Sequence, residues 1–142
     1  MALHVRQSAW LDAIPQREGK KDLPANTVSR RDAILDKGGS IDMPELECGD
    51  YLIKHLFDVG PTLDGGMSSG RITYSEIEAW ERKTGIELLP WEAALLRRLS
   101  AEYLAESSAA AKHDRPAPFG RPVNVRRSTQ KEIDRKLDSF FD

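Results

Sequence analysis

The feature that most constrains this chain is the run from Ile72 to Leu104, which carries two sets of helix start and stop signals. Thr73 and Glu76 have the spacing of a capping box, in which both side chains bind free backbone amides at a helix start. Gly85 then stands where helices commonly end, and Pro90 suits the first turn of a second helix. The run therefore predicts two helices joined by a short connection.

Both predicted helices have an apolar face that must be buried for the helix to be stable. Ile72 and Ile77 have the spacing of a hydrophobic staple around the first helix start. In the second helix, large apolar side chains recur every four residues, at Trp91, Leu95, Leu99 and Tyr103. A one-sided helix of this kind depends on packing for its stability. We therefore expect these residues, with Trp80, to form core rather than a binding site.

Helix signals before this run are weaker. The first 27 residues offer only a short candidate helix at Ser8–Ile14, and a second one follows Ser29, a plausible N-cap, and stops at Gly38. A stronger helix is predicted from Pro44 to Val59. The following segment, residues 60–70, is rich in glycine and serine and predicts a flexible loop.

The C-terminal part changes in composition from Lys112 onward. Residues 112–127 contain three prolines and read as an extended linker. Thr129 and Glu132 then form another capping box, and the apolar residues after it recur at helical spacing, at Ile133, Leu137, Phe140 and Phe141. This pattern predicts a short amphipathic helix that must dock on another surface to be stable.

These signals predict an all-α protein with a small three-helix core at residues 45–111. A flexible N-terminal arm with short helices, residues 1–44, precedes the core, while the linker at 112–127 and a docking helix at 128–142 follow it. The pattern leaves open whether the arm packs on the core, and Trp10 can equally dock on the core or on a partner.

The charge distribution does not suit a nucleic-acid-binding core. The chain has a net charge of −2, but residues 45–111 carry six basic and twelve acidic side chains, a net charge of −6. Residues 1–44 carry a net charge of +1, and residues 112–142 carry +3. Phosphate binding needs clustered lysine and arginine, so nucleic acid is not an expected partner. No apolar run approaches the roughly 20 residues of a membrane span, and we expect a soluble cytoplasmic protein.

The sequence contains no motif for catalysis, for a cofactor or for a metal ion. His4, His55 and His113 lie in separate segments without the spacing of metal ligands. Cys48 is the only cysteine, which excludes an intrachain disulfide. Neither a phosphate-binding glycine loop nor a nucleophile elbow is present. We therefore expect no enzyme activity, no cofactor and no metal site.

One alternative is a small DNA-binding regulator, because a helix-turn-helix also consists of two helices joined by a glycine-containing turn. Arg97 and Arg98 would lie on its second helix. However, the connection from Gly85 to Pro90 is longer than the usual turn. Both arginines also lie in the middle of the helix, whereas recognition helices contact bases near their N-terminus. A solvated helix face is the interpretation that we favour for these arginines.

The order of segments resembles the small tail assembly chaperones of long-tailed, siphovirus-type bacteriophages, including the downstream portion of the frameshift-type chaperones. An apolar helix ends in LFDVGP, a glycine-rich loop leads to ITYSEIEAWERKTG, and PWE opens a helix that ends in LRRLSAEYL. The family pattern has the same T-G turn, P-W-E start and L-R-x-L-x-x-x-Y-L ending. The resemblance covers about Tyr51 to Leu104. Leu89 departs from it, since the family often has serine or threonine there and leucine cannot cap a helix.

The resemblance implies a non-enzymatic protein of the host cytoplasm that binds the phage tape-measure protein and helps recruit tail-tube subunits. Self-association is a further expectation, and a structural head–tail or tail protein of the virion stays open as an alternative. We expect partner contacts at two places, on the 44–59 helix and on the tail. The predicted contact residues are Tyr51, Leu52, His55, Phe57, Ile133, Leu137, Phe140 and Phe141.

Overall fold

A computed structural model describes residues 1–16 and 27–120 of the chain. This part is mostly helical, as the sequence predicted, and its only sheet is a two-stranded hairpin. The elements are, in order, α1 (Ala2–Asp12), α2 (Arg30–Asp36), α3 (Asp50–Val59), β1 (Leu63–Asp64), β2 (Ser69–Gly70), α4 (Tyr74–Thr84) and α5 (Pro90–Ala110). The predicted docking helix and its four apolar residues lie outside the described residues.

The local signals place the ends of α4 and the start of α5 correctly. The Thr73 hydroxyl accepts a hydrogen bond from the Glu76 amide at 3.3 Å. Gly85 ends α4 in the left-handed conformation, with φ of 73°, and Pro90 is the first residue of α5. Ser29 caps α2 in the same way as Thr73 caps α4, by accepting from the Asp32 amide. These ends were predictable because each depends on residues within one helical turn.

The hydrophobic core lies where α3, α4 and α5 meet, and α1 closes it from the other side. Ile72 and Ile77 are both buried in it, which confirms the staple around the start of α4. The buried core cluster consists of Val5, Leu52, Ile53, Leu56, Ile72, Ile77, Leu96 and Leu99.

Helix α1 corrects the prediction of a flexible N-terminal arm. It begins at Ala2 rather than Ser8, packs along α5, and contributes Val5, which is 0% exposed, to the core. Two polar residues of this helix, Gln7 and Ser8, are also buried and hydrogen-bonded. Because polar residues lie among the buried apolar ones, the sequence of α1 shows no clear apolar stripe.

The first nine residues of the predicted linker are also part of the folded body. The Trp10 indole N–H donates to the Arg115 carbonyl at 2.9 Å, and the Phe119 amide donates to the Gln7 side-chain oxygen at 3.1 Å. Trp10 therefore docks within the chain. The prediction of an extended linker was wrong for residues 112–120, because backbone groups there bind side chains of α1. Residues 121–127 lie outside the described residues.

The segment predicted to be a flexible loop forms an antiparallel hairpin that is fastened to α5. Leu63 pairs with Gly70 across the two strands. The Ser100 hydroxyl, fully buried in α5, donates to the Pro61 carbonyl at 2.8 Å and accepts from the Ile72 amide at 2.9 Å. The Ser100 side chain thus binds both ends of the hairpin segment that connects α3 to α4.

Helix α3 begins six residues later than the sequence suggested. It starts at Asp50 after Gly49, whose φ of 79° is a left-handed conformation that favours glycine. Pro44 lies outside the helix, and its carbonyl is 3.0 Å from the Nδ1 atom of His4. The preceding segment, residues 37–49, thus crosses the start of α1.

Candidate partner-binding surface

Large apolar side chains are exposed around the start of α5. Leu89 is 57% exposed, Trp91 is 55% exposed, and Tyr51 on α3 is 41% exposed. The expectation that Trp91 belongs to the core was wrong. We refer to the exposed side chains of Tyr51, Leu89 and Trp91 as the Trp91 surface.

The exposure of Trp91 follows from the position of the buried face of α5. That face runs through Glu92, Leu96, Leu99 and Ser100. Leu99 of the predicted apolar series lies on this face, and Leu95 and Tyr103 pack against the core, as expected. Trp91 is the member of that series that is exposed. The sequence hid the extent of the buried face because Glu92 and Ser100 look like solvent-facing residues, although both are buried.

Glu92 is buried because both of its carboxylate oxygens accept hydrogen bonds. The Tyr51 hydroxyl donates to Oε1 at 2.6 Å, and the Leu89 amide donates to Oε2 at 2.7 Å. These two bonds, the tyrosine first, lower the pKa of Glu92, and the bond to Glu92 raises the pKa of Tyr51. The carboxylate also supplies the cap that the Leu89 side chain cannot provide.

A second carboxylate fixes the connection between α4 and α5. Glu81 accepts from the Leu88 amide at 2.6 Å, one residue before the amide that Glu92 binds. Two adjacent amides are thus held by side chains from both helices. Leu89 is therefore presented to solvent on a restrained backbone, which lowers the entropy cost of binding a partner.

A row of aromatic rings leads from Tyr51 of the Trp91 surface into the core at α4. The Tyr51 and His55 rings meet edge to face at a centroid distance of 5.8 Å, and the His55 ring lies 4.9 Å from the Trp80 ring. Trp80 is buried, as predicted, and its indole N–H donates to Asp58 at 2.6 Å. His55 thus lies between an exposed tyrosine and a core tryptophan.

The predicted contact residues of α3 do not share one surface. Tyr51 and His55 lie together, one helical turn apart. Phe57 packs edge to face against Tyr103 at 5.8 Å, further along α5. Leu52 is 1% exposed and belongs to the core, so its side chain offers no area to a partner.

Sequence reasoning did not assign Leu89 and Trp91 to a site. Leu89 carried a signal, because an apolar residue stood at a helix start where a capping residue is usual. The glutamate three positions later carried another, since a glutamate at N3 binds the N-cap amide and so turns inward. Trp91, next to that glutamate, is consequently directed away from the core.

The two arginines considered for DNA binding have different surroundings. The Arg97 guanidinium lies 4.3 Å over the Tyr74 ring, and its Nε donates to the Ile72 carbonyl at 3.4 Å. Arg98 is exposed. Arg97 therefore packs on the start of α4, and the two side chains do not form a matched pair for contacting bases.

Neither a group of metal ligands nor a membrane-spanning helix occurs among the described residues. Within residues 1–16 and 27–120, the histidine, cysteine, aspartate and glutamate side chains form no group of three that could hold a metal ion. None of the helices in these ranges combines the length and apolar character that a membrane span requires.

Comparison with known protein families gives a match over the part of the chain that carries the Trp91 surface. Residues 43–105 match the family described as phage tail assembly chaperone. This segment belongs to that family. The match confirms the resemblance that the sequence indicated and covers somewhat less than half of the chain. No curated protein and no solved structure matches the chain.

The matched residues, 43–105, are called the chaperone segment and correspond to a defined set of elements. The segment contains α3, the hairpin, α4 and most of α5, and therefore all three residues of the Trp91 surface. Helices α1 and α2 and the last turn of α5 lie outside it. The chaperone segment thus shares its core with an N-terminal helix that is not part of the family match.

Proposed function

We propose that this protein is a non-enzymatic phage tail assembly chaperone that acts in the host cytoplasm. In this proposal it binds the tape-measure protein, keeps that protein soluble and helps recruit tail-tube subunits. The observation that carries the proposal is the family match over residues 43–105. The match implies protein partners in tail assembly, and the identity of those partners is our proposal.

The Trp91 surface supports this function because it suits an apolar helix of a partner. Amphipathic helices bind by laying their apolar face against an exposed apolar surface. Tryptophan and tyrosine are the residues that most often dominate the energy of such interfaces. Leu89 and Trp91 lie on a backbone held by two carboxylates, so little conformational freedom is lost on binding.

Co-expression with the tape-measure protein encoded by the same phage tests the proposal. We expect the wild-type chaperone to increase the soluble fraction of that protein and to co-purify with it. Failure of both would overturn the proposed function.

Two variants test whether the Trp91 surface makes the contact. Trp91→Ala removes an exposed aromatic ring, and we expect a loss of affinity of about 30-fold, the value for an interface residue that contributes about 2 kcal/mol. Met67→Ala is the matched control, since Met67 is fully exposed at the hairpin tip, and it should bind like the wild type. If Trp91→Ala binds as tightly as the wild type, the proposed function stands but the Trp91 surface is not where the partner binds.

Analysis of finished particles separates a chaperone from a structural virion protein. A chaperone leaves the assembly when the tail is complete, so purified particles should lack this chain. Stoichiometric amounts of the chain in washed particles would instead identify a component of the virion.

A further inference from the structure

We infer that the partner helix of the Trp91 surface is cationic and amphipathic. Its apolar face lies on that surface, and a lysine or arginine at its edge binds in an acidic concavity beside Leu89. The inference rests on the proposed function, because it names the chemistry of the partner for the same surface. It combines the exposed apolar side chains, the adjoining concavity and the distribution of charge along the chain.

The acidic concavity lies between the end of α4 and the connection to α5. It is lined by three glutamates, one arginine and one leucine, which are Glu78, Glu81, Glu87, Arg82 and Leu88. The Glu81 carboxylate accepts from the Leu88 amide at 2.6 Å. Because Leu88 directly precedes Leu89, the concavity adjoins the Trp91 surface. A helix that covers Leu89 therefore has these carboxylates beside it.

A single arginine offsets only part of the negative charge in this concavity. Arg82 lies 3.6 Å from Glu78, and the two side chains are 71% and 67% exposed. An ion pair that is this exposed contributes little. Three glutamates and one arginine leave the concavity with a formal charge of −2. A lysine or arginine of a partner would supply the matching charge, and arginine can bind a carboxylate through two hydrogen bonds.

The excess of negative charge lies in the part of the chain that carries the surface. Residues 45–92 carry ten acidic and four basic side chains, whereas residues 93–111 carry two of each. On the α3 side of the surface, Asp50 is exposed next to Tyr51. Its ion pair with Lys54, at 3.7 Å, is exposed as well and binds weakly. Acidic side chains thus flank the surface on both α3 and α4.

The acidic surroundings end two turns along α5. Arg98 is exposed seven residues beyond Trp91, about 10 Å along the helix axis. Opposite charges across an interface steer partners together, and like charges exclude wrong ones. A cationic helix is therefore favoured over an acidic one at the start of α5.

Two model peptides test the charge of the partner directly. Both are amphipathic helices of about 18 residues with the same leucine face, and the polar face carries lysine in one and glutamate in the other. We expect the full chain to bind the lysine peptide at least about tenfold more tightly at low salt. The difference should shrink in about 0.5 M salt, because salt screens exposed charges. Calorimetric titration measures both affinities.

The indole signals in NMR spectra show where the lysine peptide binds. The indole N–H groups of Trp10 and Trp80 donate within the chain, to Arg115 and Asp58. Trp91→Ala identifies the signal of the third tryptophan. The lysine peptide should shift the Trp91 signal more than the other two, and Trp91→Ala should weaken its binding at least about tenfold.

Charge reversal tests the position of the cationic side chain. Glu87→Lys should weaken binding of the lysine peptide about fivefold, the upper value for one exposed ion pair. Asp64→Lys is the matched control, because it changes the net charge equally. Asp64 lies on the hairpin, which borders Leu104 of α5, about 20 Å along the axis from Trp91. This control should stay within about twofold of the wild type, and melting curves check that both variants are folded.

Three outcomes would overturn the inference. Failure of the lysine peptide to bind, or equal or tighter binding of the glutamate peptide, would reject a cationic partner. Equal losses in Glu87→Lys and Asp64→Lys would show that only the overall charge attracts the peptide. An unchanged Trp91 signal would place the binding elsewhere. None of these results decides the proposed function, which fails only if the tape-measure protein is neither solubilised nor co-purified.

Discussion

At the C-terminal end of α5, the Arg30 guanidinium donates to the carbonyls of Ala110 at 2.6 Å and Lys112 at 2.8 Å. At the N-terminal end, the Glu92 carboxylate accepts from the Leu89 amide. A positive side chain therefore binds the free carbonyls at the C-terminal end, and a negative side chain binds a free amide at the N-terminal end. Each charge has the sign that the helix dipole favours at that end. The two ends differ in their apolar side chains, which are enclosed at one end and exposed at the other.

The enclosed end is covered by residues outside the chaperone segment. Arg30 is itself buried, which lowers its pKa, and its guanidinium lies 4.8 Å over the Trp10 ring. Glu106 is buried nearby and binds Arg115 through two hydrogen bonds. At the exposed end, equally complete hydrogen bonding supports Leu89 and Trp91 in solvent. The first end is thus enclosed by the chain itself, whereas the second end is the one for which we propose a partner.

Among substitutions at the two ends of α5, truncation of a buried side chain in α1 should have the largest effect. Leu11→Ala should lower the free energy of unfolding by about 3 kcal/mol, because it leaves a cavity at a fully buried site. Leu3→Ala, an exposed leucine of the same helix, should cost less than about 1 kcal/mol. Urea unfolding measures both. Similar small losses would show that α1 does not stabilise the fold.

Removal of the charge that binds the C-terminal end of α5 comes next. Arg30→Met keeps much of the side-chain volume but leaves two backbone carbonyls without their donor, so we expect a loss of about 2 kcal/mol. Arg31→Met is the control, because Arg31 forms only a half-exposed ion pair with Asp12 and should contribute less than about 1 kcal/mol. Equal urea midpoints for the two variants would contradict the role given to Arg30.

Acid should weaken the N-terminal end of α5 through Glu92. Because the folded protein lowers the pKa of this carboxyl below its ordinary value of 4.5, its contribution is present above pH 4.5. That contribution is lost as the pH falls through the lower pKa of the folded state. Glu92→Gln should therefore be less stable than the wild type at pH 7, and the difference should shrink as the pH falls towards 3. A difference that is constant across this range in urea unfolding would reject the linkage.

The smallest effect on stability is expected for Trp91. Trp91→Ala should change the free energy of unfolding by less than about 1 kcal/mol, since surface substitutions rarely do more. Trp80→Ala, at a buried tryptophan, should cost about 3–5 kcal/mol. Thermal unfolding of the two variants compares them directly. A large loss of unfolding free energy in Trp91→Ala would show that Trp91 contributes to the core.

The parts of the fold that the sequence predicted depend on neighbouring residues, and the parts that it missed depend on distant ones. Thr73 marks the start of α4 and Gly85 marks its end, and both do so through contacts within one helical turn. Ser100 and Glu92 look polar and exposed until their partners are known, and those partners, Pro61 and Tyr51, are 39 and 41 residues away. A periodicity argument treats such residues as solvent-facing, and it therefore placed Trp91 rather than Glu92 on the buried face of α5.

The candidate site was predictable to a similar extent. The sequence assigned Tyr51, Leu52 and His55 to one helix but could not show that Leu52 is buried, because burial depends on the elements that pack against α3. The resemblance includes the P-W-E helix start but does not show which of its side chains is buried. In the structure Glu92 is buried, and Trp91 beside it is exposed to solvent.

The packing of α1 along α5 also bears on the order in which the chain can assemble during synthesis. Arg30 is translated about eighty residues before the carbonyl of Ala110 that it binds. Until α5 has left the ribosome, α1 lacks the helix with which it makes most of its contacts. Contacts between such distant segments slow folding. The N-terminal helix is therefore the first to be synthesised and among the last to pack.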